Sequence, residues 1–138
     1  MKILSLAAAL VLGVLVAPSA EAGPDPVYDP GSLVPSRFIM APKKAGGEAV
    51  ASGAFVEYSV SFAGHSYVKD TADDGRDVQV WVKYGKEKAY SYTEQMASVS
   101  GLNVSKSFAW ASPAGMYVDF VEVRVCLSPG EDNCSGWG

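Results

Sequence analysis

The chain has 138 residues, of which 49% are hydrophobic and 19% are charged, and its formal net charge is −4 at pH 7. Nucleic-acid binding needs a stripe of basic side chains that contacts phosphates, so this mildly acidic composition excludes DNA and RNA as predicted partners. The same charge balance argues against electrostatic attachment to a membrane surface.

The first 22 residues have the three-part pattern of a secretory signal peptide. Lys2 gives a positive start, residues 3–16 form an apolar run, and Ala20 and Ala22 occupy the positions that a signal peptidase reads. This run is shorter than the ~20 residues of a membrane-spanning helix, so we expect no stable membrane insertion after cleavage. Removing residues 1–22 from 138 leaves 116, the size of one secreted domain.

The segment 23–35 is predicted to be a proline-rich extended arm that precedes a domain over residues 36–138. It contains four prolines, and proline removes backbone donors and restricts the residue before it. Residues 36–40 are predicted as a short edge strand. The small and polar residues 41–54 predict a loop, or a weak edge strand around 48–51.

Alternating apolar and polar side chains predict the remaining strands. The pattern is clearest in the final strand, where Val121, Val123 and Val125 alternate with Glu122 and Arg124. The other predicted strands cover residues 55–63, 77–84, 89–96 and 102–110. No segment has a sustained helical period, and turn signals recur at the spacing typical of antiparallel sheets. We therefore predict an all-β protein with six or seven strands in a small antiparallel β-sandwich, and a small β-barrel is the alternative.

Cys126 and Cys134 are the two cysteines of the chain. In a secreted protein, two cysteines are expected to form one disulfide bond, which here would close a loop around Pro129. Such a bond would tie the C-terminal tail to the final strand.

Two short patterns stand out in the second half of the chain. The first is V-x-D-T-x-x-D-G at residues 68–75, and the second is V-R-V-C…C-S-x-W at residues 123–137. In both, the chain resembles a group of small secreted actinobacterial proteins of unknown function. The resemblance implies export from a Gram-positive cell and a disulfide-tied β fold, and it implies no activity.

An acidic segment raises the question of a calcium site through four side chains: Asp70, Asp73, Asp74 and Asp77. An EF-hand loop that started at Asp70 would place Ala72 at its third position and Trp81 at its twelfth, where oxygen ligands are required. The EF-hand pattern therefore fails, and Asp74-Gly75 is a typical tight-turn dipeptide. We predict turns here in preference to a metal site, and we predict no cofactor.

The single histidine of the chain, His65, offers a weak case for catalysis. With Ser66 and Asp70 it would make a Ser–His–Asp set, but the three are neighbours in one predicted loop. A triad needs a base that a third group orients and a nucleophile beside an oxyanion hole. We therefore predict a protein without enzymatic activity.

Trp81, Tyr90 and Tyr92 are the candidate ligand-binding residues. If Tyr84 pairs with Ala89 across a four-residue turn, Trp81 faces Tyr92 on the solvent side and the three rings form an exposed platform. Flat aromatic faces stack on sugar rings, and exposed apolar patches mark contact sites. A register shift of one residue would instead turn the two tyrosines onto the core face.

These features favour a secreted binding protein whose partner is a polysaccharide, a cell wall or another extracellular protein. The alternative is a secreted antagonist, either a protease inhibitor or a toxin-like protein. An inhibitor uses a rigid exposed loop, and the segment between Cys126 and Cys134 would supply one.

Overall fold

The computed structural model describes residues 28–129 and 133–138. Within these ranges the chain forms eight β-strands and no helix, and every strand pairing is antiparallel, which confirms the predicted all-β class. The strands are β1 Ser36–Met40, β2 Lys43–Lys44, β3 Gly47–Val56, β4 Ser59–Asp70, β5 Val78–Lys86, β6 Tyr90–Val99, β7 Ser105–Ala111 and β8 Phe120–Leu127. The predicted signal peptide at residues 1–22 and residues 23–27 of the predicted arm lie outside the described residues.

The strands form two separate sheets. One has the order β1-β3-β4-β7, with the short β2 also paired to β3, and the other has the order β6-β5-β8. Residues 133–138 extend the second sheet, because Val123 of β8 and Gly138 exchange two backbone hydrogen bonds of 2.7 and 3.2 Å. The two sheets face one another as the predicted sandwich, and the pairing of the described strands does not close into the alternative barrel.

The inner face of the second sheet supplies the aliphatic half of the core. Alternate residues of β5 and β8 point inward and are at most 4% exposed: Val78, Val80, Val82, Tyr84, Val121, Val123, Val125 and Leu127. The alternation predicted for the final strand is thus confirmed. Because fully burying a valine or leucine side chain stabilises a fold by about 1.5–3 kcal/mol, this face is a main reason why the two sheets pack together.

Aromatic side chains supply the other half of the core. Phe38, Phe55 and Phe62 of the first sheet are at most 6% exposed, and the ring of Tyr28 stacks on Phe55 with 5.1 Å between centroids. Gly53 lies among these rings: a β-carbon there would be 2.7 Å from Phe38 and 2.8 Å from Phe62. Glycine at this position leaves the rings the space that a side chain would take.

β3 is longer and more central than the sequence predicts. The predicted weak edge strand at 48–51 is part of a ten-residue strand, Gly47–Val56, which lies between β1 and β4. Its burial alternates along its whole length, but the inward side chains of Ala49 and Ala51 are small. An alternation between alanine and slightly larger residues is hard to recognise in a sequence, which explains the error.

The predicted strand 55–63 is wrong, because the chain reverses within it. β3 and β4 are joined there by Glu57 and Tyr58, whose φ angles are 47° and 61°. Two left-handed residues make a tight turn whose twist matches that of the flanking strands. The arm braces the turn: Glu57 N–H donates to Ser32 O at 2.8 Å, and Tyr58 N–H donates to Pro30 O at 2.6 Å.

β4 also includes His65, Ser66 and Asp70, which were predicted to lie in one loop, since the strand continues to Asp70. Its pairing with β7 is irregular between Phe62 and Ser66, and its pairing with β3 is irregular between Val50 and Gly53. The buried hydroxyl of Ser66 accepts a hydrogen bond from Ser52 N–H at 2.9 Å and donates to Ser52 O at 3.4 Å. It thereby satisfies backbone groups of β3 that an irregular ladder would leave without partners.

β7 is shorter than the predicted strand 102–110, because the chain turns where that strand would begin. Asn103 has a φ of 63°, and Val104 N–H donates to Gly101 O at 2.9 Å. Leu102 and Val104 are consequently about half exposed and do not belong to the core.

Candidate binding surface

The outer face of the second sheet carries polar and aromatic side chains. Because β5 and β8 turn their valines inward, the residues between those valines point to the opposite face. Trp81 and Lys83 of β5 lie there beside Glu122 and Arg124 of β8. Lys83 Nζ is 3.2 Å from Glu122 Oε1 in a partly exposed ion pair. Such a pair contributes only ~0–1 kcal/mol, so its main effect is to fix the position of both side chains.

Trp137 reaches this face through the C-terminal tail. Because Val123 and Gly138 are directly opposed, the preceding tail residue, Trp137, lies beside Arg124. Trp81 of β5 has a neighbour on each side: Arg124 of β8 and Gln95 of β6. With neighbouring strands ~4.8 Å apart, these side chains span about 14 Å across the sheet. We call this line of four residues the tryptophan row: Trp137, Arg124, Trp81 and Gln95.

Cationic side chains and hydrogen bonds hold the two tryptophan rings. Arg124 Cζ lies 4.3 Å and Lys83 Nζ lies 5.0 Å from the centroid of the Trp137 ring. Contacts of this kind contribute about 0.5–1 kcal/mol at exposed sites. Trp81 Nε1–H donates to Gln79 Oε1 at 3.0 Å. Both tryptophans are half-buried, so each ring keeps part of its surface open to solvent.

A bulge in β6 determines which of its residues joins the row. Val80 pairs with Ala97 whereas Trp81 pairs with Gln95, so Met96 is an extra residue in the ladder. Met96 packs against the core. The extra residue lets Ala97 face inward while Gln95 stays on the outer face.

The structure does not bring Trp81 together with Tyr90 and Tyr92. The predicted pairing of Trp81 with Tyr92 is wrong, because Tyr92 lies opposite Tyr84 and the register is shifted by three residues from the predicted one. An odd shift moves a strand's side chains to the other face of a sheet. The two tyrosines therefore share a face with Tyr84, as the alternative register predicted.

The register error comes from the position of the hairpin turn. Gly85 was expected in the turn, but it pairs with Ser91 inside the strand, and the loop is 87–89 with Lys88 at a φ of 64°. A β-carbon at position 85 would lie 2.1 Å from Tyr90 O. Gly85 therefore permits a close approach of two backbones, and it does not form the turn.

Tyr90 and Tyr92 lie at an edge of the sandwich, where a carboxylate joins the two sheets. Tyr92 is 49% exposed, and the neighbouring Tyr84 is buried. The Tyr84 hydroxyl donates to the carboxylate of Glu94, which also accepts a hydrogen bond from Nε1–H of Trp110 in β7 at 3.3 Å. Burial, and then the bond to Glu94, raise the pKa of Tyr84 above its ordinary value of 10.0.

The aspartates of the acidic segment have structural contacts. Asp70 is buried, and its two carboxylate oxygens accept hydrogen bonds from Ala72 N–H at 3.1 Å and Gly101 N–H at 2.9 Å. Asp74 forms a turn by accepting Arg76 N–H at 3.0 Å. The remaining two side chains are exposed: Asp73 and Asp77. Within residues 28–129 and 133–138, no group of three or more His, Cys, Asp and Glu side chains is placed to hold a metal ion.

His65 contacts a different serine from the one that the sequence places beside it. Its Nε2 lies 2.8 Å from Ser52 Oγ, whereas Ser66 is buried against the backbone of Ser52. The carboxylate of Asp70 is occupied by the two loop amides. These three residues of the hypothetical triad, His65, Ser66 and Asp70, therefore do not assemble a catalytic set.

The predicted disulfide between Cys126 and Cys134 is present. The two residues are directly opposed, with 3.9 Å between their Cα atoms, so the bond fastens the tail to β8. The loop that it closes includes residues 130–132, which lie outside the described residues. The inhibitor hypothesis, which depends on that loop, stays a prediction.

A cavity of about 650 Å³ lies beside the β5–β6 hairpin loop, and none of the four residues of the tryptophan row lines it. Charges of both signs line it, including Lys86, Asp119 and Glu122. The Asp119 carboxylate already accepts a hydrogen bond from Glu87 N–H at 2.8 Å. This lining favours no particular class of ligand, so the flat row is the better candidate for a binding surface.

No protein-family model, curated protein or solved structure matches the chain. The part of the chain that the structure describes has no helix long and apolar enough to cross a membrane. The geometry of its residues is therefore the only support for a binding role of this surface.

Sequence reasoning predicted Trp81 as a site residue and missed the other three residues of the row: Trp137, Arg124 and Gln95. The tail residues 135–138 have no alternating pattern, so nothing in them indicates a strand. The predicted disulfide was nevertheless a usable signal. A bond between Cys126 and Cys134 places the following residues antiparallel to β8, with Trp137 close to Arg124.

Proposed function

We propose that this protein is a secreted, non-catalytic binding protein that holds an extracellular polysaccharide on the tryptophan row. The observation that carries the proposal is the placement of Trp81 and Trp137 in one line, with Arg124 between them. Aromatic rings offer flat apolar surfaces on which the C–H faces of sugar rings stack. The guanidinium of Arg124 and the amide of Gln95 offer hydrogen bonds to the hydroxyl groups at the edges of those rings.

The shape of the surface favours a polymer over a small molecule. Small ligands bind in concave pockets that bury most of their surface. The tryptophan row instead lies on the outer face of a sheet and extends for about 14 Å across three neighbouring strands and the C-terminal tail. An extended chain of sugars can contact both tryptophans at once, and two linked contacts bind more tightly than either alone.

Two features support the extracellular part of the proposal. The signal-peptide pattern of residues 1–22 favours secretion, and the disulfide between Cys126 and Cys134 is consistent with an oxidising compartment. The resemblance to small secreted actinobacterial proteins agrees with export, and it adds no activity.

A retention assay on insoluble polysaccharides tests the proposal. The purified protein is mixed with cellulose, chitin, xylan and isolated bacterial cell wall, and the bound fraction is measured against protein concentration. We expect saturable retention on at least one matrix. Trp81→Ala and Trp137→Ala should each weaken it by roughly tenfold, which corresponds to the loss of about 1.4 kcal/mol of contact energy.

Tyr92→Ala is the matched control, because Tyr92 is an exposed aromatic residue on a different surface. It should leave retention unchanged, and all three variants should keep the wild-type strand signal in circular dichroism. Absence of retention on every matrix would refute the proposal. If both tryptophan variants were retained as strongly as the wild type, the binding site would not lie on this face. Hydrolysis of a matrix would show that the protein is an enzyme. Inhibition of a protease panel without retention would favour the secreted antagonist.

A further inference from the structure

Two tyrosines lie face to face at the end of the sandwich opposite to the disulfide. Tyr58 occupies the β3–β4 turn, and Tyr117 lies in the connection between β7 and β8. Their ring centroids are 4.1 Å apart and the ring planes differ by 19°. Nearly parallel rings at this separation place carbons of one ring in direct contact with carbons of the other.

Neighbouring residues hold the pair in this arrangement. A β-carbon at Gly31 would lie 2.7 Å from Tyr58 Cζ, so the backbone of the arm packs directly against that ring. Tyr58 O accepts a hydrogen bond from Val118 N–H at 2.8 Å, which ties the turn to the residue after Tyr117. Lys86 Nζ lies 4.9 Å from the centroid of the Tyr117 ring. Each ring is therefore held next to its reaction partner before any reaction, which raises the effective concentration of that partner.

The pair is also accessible from solvent. Tyr58 is 37% and Tyr117 is 40% exposed, so both rings can give up electrons to an oxidant at the protein surface. Other tyrosine pairs are less suited to react with each other. Tyr90 and Tyr92 are 5.8 Å apart with planes 52° apart, and the closest tyrosine contact of the buried Tyr84 is with Tyr92, at 5.9 Å.

We propose that Tyr58 and Tyr117 form an oxidative cross-linking site, at which a haem peroxidase with hydrogen peroxide joins the two rings as dityrosine. Each phenol gives one electron and one proton, and the two tyrosyl radicals couple through one ortho carbon of each ring. The hydrogen on each coupled carbon moves to the phenoxyl oxygen, which restores both phenols. The protein loses two hydrogen atoms in total, and one hydrogen peroxide is reduced to two molecules of water.

The cross-link would give the fold a second covalent tie. The disulfide fastens the tail near the end of β8, and the Tyr58–Tyr117 bond would join the β3–β4 turn to the segment just before the start of β8. It would connect the first sheet to the chain segment that leads into the second sheet. Because it closes a long loop of chain, it should raise the melting temperature. This inference is independent of polysaccharide binding.

The test treats the full chain, at a concentration where it is monomeric, with peroxidase and one equivalent of hydrogen peroxide. We expect dityrosine fluorescence in the monomer fraction, a mass lower by two hydrogen atoms, and a cross-linked peptide that contains positions 58 and 117. Tyr58→Phe and Tyr117→Phe should each abolish the intramolecular product. Phenylalanine keeps the ring, and circular dichroism checks that both variants stay folded.

Tyr92→Phe is the matched control, because it removes an exposed hydroxyl that does not belong to the pair. It should leave the yield of intramolecular dityrosine unchanged. The proposal is overturned if the two pair variants cross-link as well as wild type, if the product is found only between molecules, or if the cross-linked peptide joins other tyrosines.

Discussion

Asp70 shows, at the scale of a single residue, how an aspartate in an acidic segment can have a structural role. Its side chain binds the amides of Ala72 and Gly101, and its own backbone N–H and C=O bond to Val104 O at 3.0 Å and to Asn103 N–H at 2.8 Å. It therefore joins the segment after β4 to the turn before β7. The sequence shows an acidic residue near a turn, but the contact with Gly101 is set by the fold.

Replacing Asp70 should destabilise the protein more than any other change in the acidic segment. Asp70→Ala leaves two amides without their acceptor in a buried place, so we expect the free energy of unfolding to fall by about 3 kcal/mol. Asp73→Asn, at an exposed position, is the control and should change it by less than about 0.5 kcal/mol. Urea denaturation measures both. Equal midpoints for the two variants would show that the Asp70 contacts contribute nothing to stability.

The β5–β6 hairpin shows, at the scale of an element, why the candidate site was only half predictable. Alternation in β5 correctly placed Trp81 opposite to the valines, because side-chain direction depends only on position along a strand. Its cross-strand neighbours depend on where the chain turns. Gly85 looks like a turn residue in the sequence, and the need for a glycine beside Tyr90 O appears only once the two strands are paired.

Gly85→Ala tests this account of the hairpin. The added β-carbon would meet Tyr90 O at 2.1 Å, so the strands must separate, and we expect a loss of about 3 kcal/mol in the free energy of unfolding. Gly64→Ala in β4 is the matched control, because a β-carbon there has no atom within 4 Å. It should leave the unfolding midpoint unchanged or slightly raised. If both variants lost similar amounts of unfolding free energy, the effect would be a general one of replacing glycine in these strands. That result would contradict the close-approach explanation.

At the scale of the whole molecule, the class of fold followed from the sequence and the order of its strands did not. Strongly alternating valine strands, such as β5 and β8, were recognised because bulky side chains make their burial pattern visible. β3 alternates just as regularly in its burial, but alanine and glycine on its inner face conceal the pattern. The pairing of residues 133–138 with β8 depends on a tertiary contact that no local pattern encodes.

The core between the two sheets and the disulfide at the edge should contribute separately to stability. Cys126 and Cys134 lie eight residues apart, and closing a loop of that size stabilises by about 2.5 kcal/mol on the chain-entropy estimate. The inward valines and phenylalanines contact one another without that loop. Reduction, or the paired change of Cys126→Ser with Cys134→Ser, should therefore lower the melting temperature and leave the strand signal in circular dichroism.

Reduction should also release Trp137 from Arg124, which a change in tryptophan fluorescence would report. If reduction unfolded the protein completely at room temperature, the two-sheet core would not be sufficient for folding, and free thiols in the untreated protein would contradict the pairing itself.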